Sequence, residues 1–278
     1  MKKAILFLLI MTAVSVNYGQ VPDSLKNKWI PSFVISAGIN QIAFTNWVKG
    51  GDNSIAWTFL GDFHYDLTGD VWSFKNSIKA TYGRSKIGSS TYKTTDNDLY
   101  IEDVAIYNMG WAVSPFLSNS IRSSVARGYN YNVTPEVETA NFFDPGYVTQ
   151  TIGFTYDKYP HVITRLGLGF QEIFANGHME YTDPVNKVKT FKFETGIESV
   201  TDVNYKLDDN ILLQSKIRFF SQFKSLDIWD VRLDNVISAQ ITKIIAVNFT
   251  YLVVYEKLQS PYTQVKEGLQ IGITYRLL

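Results

Sequence analysis

The chain alternates. From Ser54 onward, Ile55, Trp57, Phe59, Phe63, Tyr65 and Leu67 fall on one parity, and Thr58, Asp62, His64 and Asp66 on the other. Residues 72–83 repeat the pattern, with Trp72, Phe74, Ile78, Ala80 and Tyr82 opposite Ser73, Lys75, Ser77, Lys79 and Thr81. A period of two sustained over such lengths makes a β-strand with one apolar and one polar face, because successive side chains of an extended backbone point to opposite sides. Helical spacing fits neither segment as well. Leu67-Thr68-Gly69-Asp70 between them supplies a tight turn, in which the glycine is free to take positive φ. The same pattern predicts twelve strands, at roughly 32–43, 54–66, 72–83, 98–111, 116–127, 147–157, 161–174, 191–206, 211–222, 229–241, 245–256 and 267–278.

The connections alternate too. Those after the even-numbered strands are short: Leu-Thr-Gly-Asp, Ala-Val-Ser-Pro, Lys-Tyr-Pro, Leu-Asp-Asp-Asn and Thr-Lys-Ile. Most of the others are longer, at 84–97, 128–146, 175–190 and 257–266. Short turns at one rim, long loops at the other and an even strand count are the pattern of a bacterial outer-membrane barrel. The apolar face also places aromatics near strand ends: Trp57 and Tyr65, Trp72 and Tyr82, Phe193 and Tyr205, then Trp229, Tyr255 and Tyr275. Amphipathic rings suit the membrane–water interface, whereas a soluble lipocalin-like barrel or sandwich would use them to fill its core. The expected fold class is all-β: an antiparallel transmembrane β-barrel of about 12 strands, over residues 31–278. Asp103 and Asn119 interrupt the lipid-facing parity of strands four and five.

The N-terminus reads as an address. Met1-Lys2-Lys3 is cationic, and Ala4 to Val14 is an apolar run of eleven, well short of the roughly 20 residues a membrane helix needs. Residues 1–19 are therefore expected to be a cleaved signal peptide and 20–30 a short periplasmic segment. No second run approaches spanning length. The 26 Lys and Arg balance 26 Asp and Glu, which leaves no basic excess for nucleic acid. There is no cysteine, so disulfides, thiolate metal sites and cysteine nucleophiles are excluded. The last strand, with Leu269, Ile271, Ile273, Tyr275 and Leu277 on one face, resembles the terminal strand that such barrels present to their insertion machinery.

A resemblance to a known family sharpens this. Thr45-Asn46-Trp47-Val48-Lys49-Gly50-Gly51-Asp52-Asn53-Ser54 resembles the NWxxGGxNS segment of a Bacteroidota outer-membrane family, catalogued as a domain of unknown function (number 3078). Lys93-Thr94-Thr95-Asp96, Arg127-Gly128-Tyr129-Asn130-Tyr131 and a closing Gly268-x-x-x-Gly272-Ile273-x-Tyr275 follow in order, so the resemblance covers most of residues 29–278. It implies a barrel and a Gram-negative outer-membrane location, and no activity.

The polar face then has to line a lumen. Its candidates are Lys75, Lys79, Arg122, Arg165, Glu194, Glu198, Asp202, Lys216, Arg218, Arg232 and Asp234, with Lys192, Lys206, Arg276, Asp62, Asp66, Asp230 and Glu256 beside them. Mixed signs favour ion-pair networks over a strongly charge-selective pore. Acid on strand eight (Glu194, Glu198, Asp202) faces base on strand nine (Lys216, Arg218) across their shared turn. Asn46, Trp47, Gly50, Gly51 and Asn53 form a glycine turn expected on the extracellular side, whose alternative use is ligand binding. Glu136, Glu138 and Asp144, or Asp96, Asn97 and Asp98, could offer oxygen to calcium, but neither set has the spacing of a dedicated loop. His64, His161 and His178 have no nucleophile placed beside them by sequence. The expectation is a narrow channel for ions or small polar solutes, with no catalytic residues, cofactor or metal. The alternatives are a non-conducting structural or partner-binding barrel of an envelope complex, and a membrane hydrolase. Expected partners are outer-membrane lipid, a small polar solute and the insertion machinery, with envelope proteins left open.

Overall fold

A computed structural model describes residues 25–45, 51–257 and 260–276. The expected signal peptide and residues 20–24 of the 20–30 segment lie outside the described residues, as do Asn46, Trp47 and Gly50. Fourteen strands are present: β1 (Trp29–Ile42), β2 (Ser54–Thr68), β3 (Trp72–Ile87), β4 (Lys93–Tyr107), β5 (Ser114–Ser123), β6 (Gly128–Asn130), β7 (Val137–Ala140), β8 (Gly146–Tyr156), β9 (Val162–Phe174), β10 (Phe191–Asp208), β11 (Ile211–Gln222), β12 (Asp230–Gln240), β13 (Ile245–Tyr255) and β14 (Gln264–Arg276). Twelve of them close into an antiparallel barrel in the order β1-β14-β13-β12-β11-β10-β9-β8-β5-β4-β3-β2, and β6 pairs only with β7.

The alternation becomes an inverted molecule. Ile39, Phe59, Leu117, Ile152, Leu168, Phe193, Leu269, Ile271 and Ile273 are each at least 50% exposed, while Ser36, Ser118, Thr151, Arg165, Gln171 and Glu198 are buried. In a water-soluble barrel these assignments would be exchanged; an exterior this apolar matches hydrocarbon. Aromatic contacts mark both edges of the apolar band. At the short-turn rim Trp29 stacks on Tyr65 (4.6 Å) and Trp72 lies against Tyr107 (4.9 Å). Tyr205 meets His161 edge-on at the same rim, where Tyr275 is also exposed. At the long-loop rim Trp57 meets Tyr82 (5.9 Å) and Trp229 meets Phe219 (6.4 Å), with Tyr255 closing β13.

Three expectations change in detail. The strand expected at 98–111 ends at Tyr107 and Ser114 opens β5, so the turn expected at Ala112-Val113-Ser114-Pro115 spans residues 108–113. The connection expected at 84–97 shrinks to residues 88–92, because β3 and β4 continue past the apolar band. Water covers both faces there, so Arg84, Lys86 and Lys93 carry no alternation even though the ladder persists, with a bulge at Gly83 and Arg84. The 128–146 loop begins at residue 124 and holds the β6–β7 hairpin, whose strands are too short to show a period.

Closure depends on the ladder between the first and last strands. Among the described residues β1 and β14 share five register pairs, from Val34 with Arg276 to Gly38 with Gly272, and β1 and β2 share fourteen. Gly272 is required at this seam, since a Cβ there would stand 2.6 Å from the Ala37 carbonyl oxygen. Apolar side chains are not all outside: Val104, Ile106 and Phe116 form a small buried cluster inside the turn rim.

Candidate functional site

The lumen is built by the inward parity of β4, β5 and β8–β12. Register and burial place Glu102 on β4, Arg165 on β9, Asp202 on β10 and Lys216 on β11 together at mid-height. The Arg165 Nη2 donates to Glu102 Oε1 (3.0 Å) and to Asp202 Oδ2 (2.7 Å). The Lys216 Nζ lies 2.5 Å from Glu102 Oε2 and 3.3 Å from Asp202 Oδ1. Two carboxylates and two cations thus alternate in a closed ring. Lys216 also lies over the Tyr100 ring, 4.9 Å from its centroid. Passing β5, β8, β9 and β10, the wall places β11 five staves from β4 in a twelve-stave barrel, so this ring bridges the lumen from side to side.

A second layer lies towards the loop rim. Arg218 Nε donates to Glu198 (2.5 Å), Thr151 donates to the same carboxylate, and Arg218 Nη2 reaches Gln171 (2.9 Å). Gln171 (3.2 Å) and Gln222 (2.6 Å) donate to Glu194, which also pairs with Lys192. Above it Arg122 on β5 lies over the Tyr147 ring and 4.0 Å from Glu256, just past β13. Arg232 on β12 bonds Asp234 (2.9 Å) and reaches Asp98 on β4 (3.4 Å), and Lys266 pairs with Asp96. Nearer the turn rim, Lys79 lies opposite Asp62 of β2, and Lys75 is half-buried on the same face of β3. A cavity of about 30 Å³ lies between the second layer and the loop rim, lined by Arg122, Tyr147, Glu194, Arg218 and Glu256, room for about two waters.

Glu102 and Tyr100 are absent from the candidates read in the sequence, and Asp96 and Asp98 stand there only as possible calcium ligands. Glu102 falls on the inward parity that leaves Asp103 on the lipid-facing one, and the register bears out that side.

Elsewhere the loop candidates act as fasteners. Asn53 Oδ1 accepts from the Phe44 N–H (2.7 Å). Gly51 has φ of 120° and packs so closely on the Phe44 ring that a Cβ would stand 2.9 Å from it. Asp144 accepts from the backbone N–H groups of Asn176 (3.0 Å), Gly177 (2.7 Å) and His178 (3.3 Å), tying the loop after β5 to the loop after β9. Tyr181 strengthens the tie by donating to the Thr139 carbonyl (3.3 Å), and burial pushes its phenol above the ordinary range. Asp144→Ala frees three N–H groups at once, so limited proteolysis is expected to cut the 175–190 loop well before the wild-type loop, with the barrel intact; equal cutting rates would show the clasp to be dispensable. An open cleft of about 400 Å³ lies between the loop after β5 and the outer ends of β3 and β4, lined by Tyr82, Arg84, Tyr92, Arg127, Tyr129 and Tyr131.

His64 Nε2 lies 3.0 Å from Asp62 Oδ1, and Ser32 and Ser77 are its register partners on the flanking strands. Neither serine bonds to it among the described residues, so the acid–histidine pair has no nucleophile. Asp96 and Asp98 are occupied by Lys266 and Arg232, and among the described residues no cluster of acids and histidines is arranged to hold a metal.

A closed twelve-stranded antiparallel barrel with an apolar exterior and an ion-paired lumen is the architecture of a membrane-spanning β-barrel. Residues 39–129, from the end of β1 through β6, match the family described as "Protein of unknown function (DUF3078)", the family that residues 45–54 resemble. No curated protein matches the chain. Among solved structures, an outer-membrane channel from Pseudomonas putida F1 is similar, with 10% identity over 94% of this chain and 98% of that one and a TM-score of 0.41. The translocator domain of the autotransporter NalP from Neisseria meningitidis gives 9% identity over 91% of each chain and a TM-score of 0.37. The monoaromatic hydrocarbon channel CymD gives 9% identity over 91% and 89%, with a TM-score of 0.33. These likenesses extend to barrel architecture and no further.

Proposed function

We propose that the protein is an integral outer-membrane barrel passing ions or small polar solutes through a narrow lumen, closed at mid-height in this conformation by the Glu102–Arg165–Asp202–Lys216 ring. The supporting observation is that the closure consists of side chains alone, projected from four separate strands. Rotation of those side chains opens a path while the wall stays intact. The apolar exterior between aromatic edges supports the membrane placement, and the short turns then face the periplasm. Alternating signs along the lumen predict weak charge selectivity.

Single-channel conductance of the refolded protein in a planar bilayer tests this. Small, salt-dependent steps are expected, with ion selectivity shifted in opposite directions by Lys216→Glu and Glu198→Lys. A protein that is folded and heat-resistant yet silent would sink the channel reading. It would favour a non-conducting structural or partner-binding barrel, a reading supported by the small size of the cavity above the second layer.

A further inference from the structure

Four polar side chains interrupt the apolar exterior in a single row. Asn76 on β3 lies opposite Asp103 on β4, Asp103 opposite Asn119 on β5, and Asn119 opposite Gln150 on β8. All four share the parity of exposed outward residues: Trp72 and Ile78 on β3, Tyr107 on β4, Leu117 on β5, and Ile152 and Phe154 on β8. The neighbours of Asp103 in the chain, Glu102 and Val104, point into the barrel. Among the described residues no other four consecutive staves carry amide or carboxylate side chains in one outward row.

The row lies well inside the apolar band. Asp103 is four residues from Tyr107, whose ring packs on Trp72 at the turn rim. At ~2.6 Å of height per residue for a strand tilted by about 40°, Asp103 stands about 10 Å inside a band about 25 Å tall. Lipid tails offer a carboxylate no donor, and polar groups on this face are costly in proportion to depth.

The row also has unspent bonding capacity. Asn76 Nδ2 is used on the Tyr65 carbonyl (2.6 Å), and Gln150 Nε2 on Asn119 Oδ1 (3.4 Å). Among the described residues nothing donates to the Asp103 carboxylate, and the Asn119 Nδ2 has no acceptor. One acceptor and one donor therefore sit side by side, both unsatisfied, on adjacent strands.

We propose that this row is the contact face of a homodimer, occupied by a second copy of this chain. Two copies inserted in the same direction are related by an axis along the membrane normal, and the interface is then the same patch on both. With that axis between β4 and β5, Asn119 of each copy donates to Asp103 of the other. Each copy supplies what its partner lacks, so the row is complementary to itself. Ile101 and Ile121 on one side of the row, with Ala105 and Leu117 on the other, provide apolar packing around the two bonds.

The chain has no cysteine, so a single introduced thiol reports contacts cleanly. In membranes under oxidation, Asn119→Cys is expected to give a disulfide-linked dimer and Phe249→Cys, on the far wall, to give none. In detergent, sedimentation of the wild type is expected to show a dimer. Asp103→Leu should raise its dissociation constant about tenfold or more, and the exchange Asp103→Asn with Asn119→Asp should restore it, because the swap preserves complementarity. A wild type monomeric at every concentration, with no Asn119→Cys cross-link, would overturn the proposal. So would an Asp103→Leu dimer as tight as the wild type, or a cross-link from position 119 to a chain of different mass. If Asp103→Leu does not fold, the cross-linking pair still decides.

Discussion

Glu102→Gln is expected to lower the unfolding free energy by about 3 kcal/mol and to raise conductance through the lumen. The substitution keeps the shape of the side chain and removes its charge. Arg165 and Lys216 are then left facing one carboxylate, Asp202, in a ring that previously balanced two against two. Breaking a buried ion pair from one side costs more than deleting the pair, because the remaining charge has lost its partner. Lys216 is the more exposed of the two cations, at 26% side-chain exposure against 6% for Arg165, so Lys216 is the one expected to swing towards a mouth and open the constriction. Urea titration in micelles measures the first effect and bilayer recording the second. The double variant Glu102→Gln with Lys216→Met restores the balance of one against one, and should recover more than half of the lost stability. An unchanged urea midpoint in the single variant would mean that the ring does not hold the wall together.

Leu168→Arg is the second large effect. Leu168 is mid-strand on β9, outward and 50% exposed. If the exterior faces hydrocarbon, the arginine should cost about 2–4 kcal/mol, the range for a basic residue at the bilayer midplane. The same change at Asn40, inward and exposed at the loop rim, should be neutral within about 0.5 kcal/mol. In a barrel surrounded by water the difference would vanish, since Leu168 would already be solvated. Urea midpoints after refolding into vesicles distinguish the two outcomes, and a Leu168→Arg midpoint equal to that of the wild type would exclude the membrane placement.

The residues that face lipid were legible because lipid tolerates so little. Ile55 to Leu67 and Trp72 to Tyr82 must alternate if one face meets hydrocarbon and the other a polar interior, and those strands fall where the alternation puts them. Past the band that constraint lapses, so the outer ends of β3 and β4 look like a loop although they are paired. The lumen was legible strand by strand and illegible across the barrel. Asp202 with Lys216 is a neighbouring pair that a shared turn predicts. Arg232 with Asp98, and Glu102 with Arg165, join strands brought together only when the sheet closes on itself with a particular stagger. Glu102 lay on the inward parity from the start, since Asp103 was on the lipid-facing one; what the sequence could not supply was its partners, Arg165 and Lys216, on strands β9 and β11.

The ladder between β1 and β14 bears on how the barrel is made. Every other ladder joins strands consecutive in the barrel and near in sequence, which zip locally and fast. The seam joins the two ends of the chain, and the least separated of its pairs is Gly38 with Gly272. The entropy lost in bringing chain ends together rises with the length between them, and contacts of that separation form late. Until they form, the molecule is a curled sheet with two free edges, each able to pair with another chain. The time those edges spend apart, more than the strength of the finished seam, sets how far the chain depends on being held while it inserts.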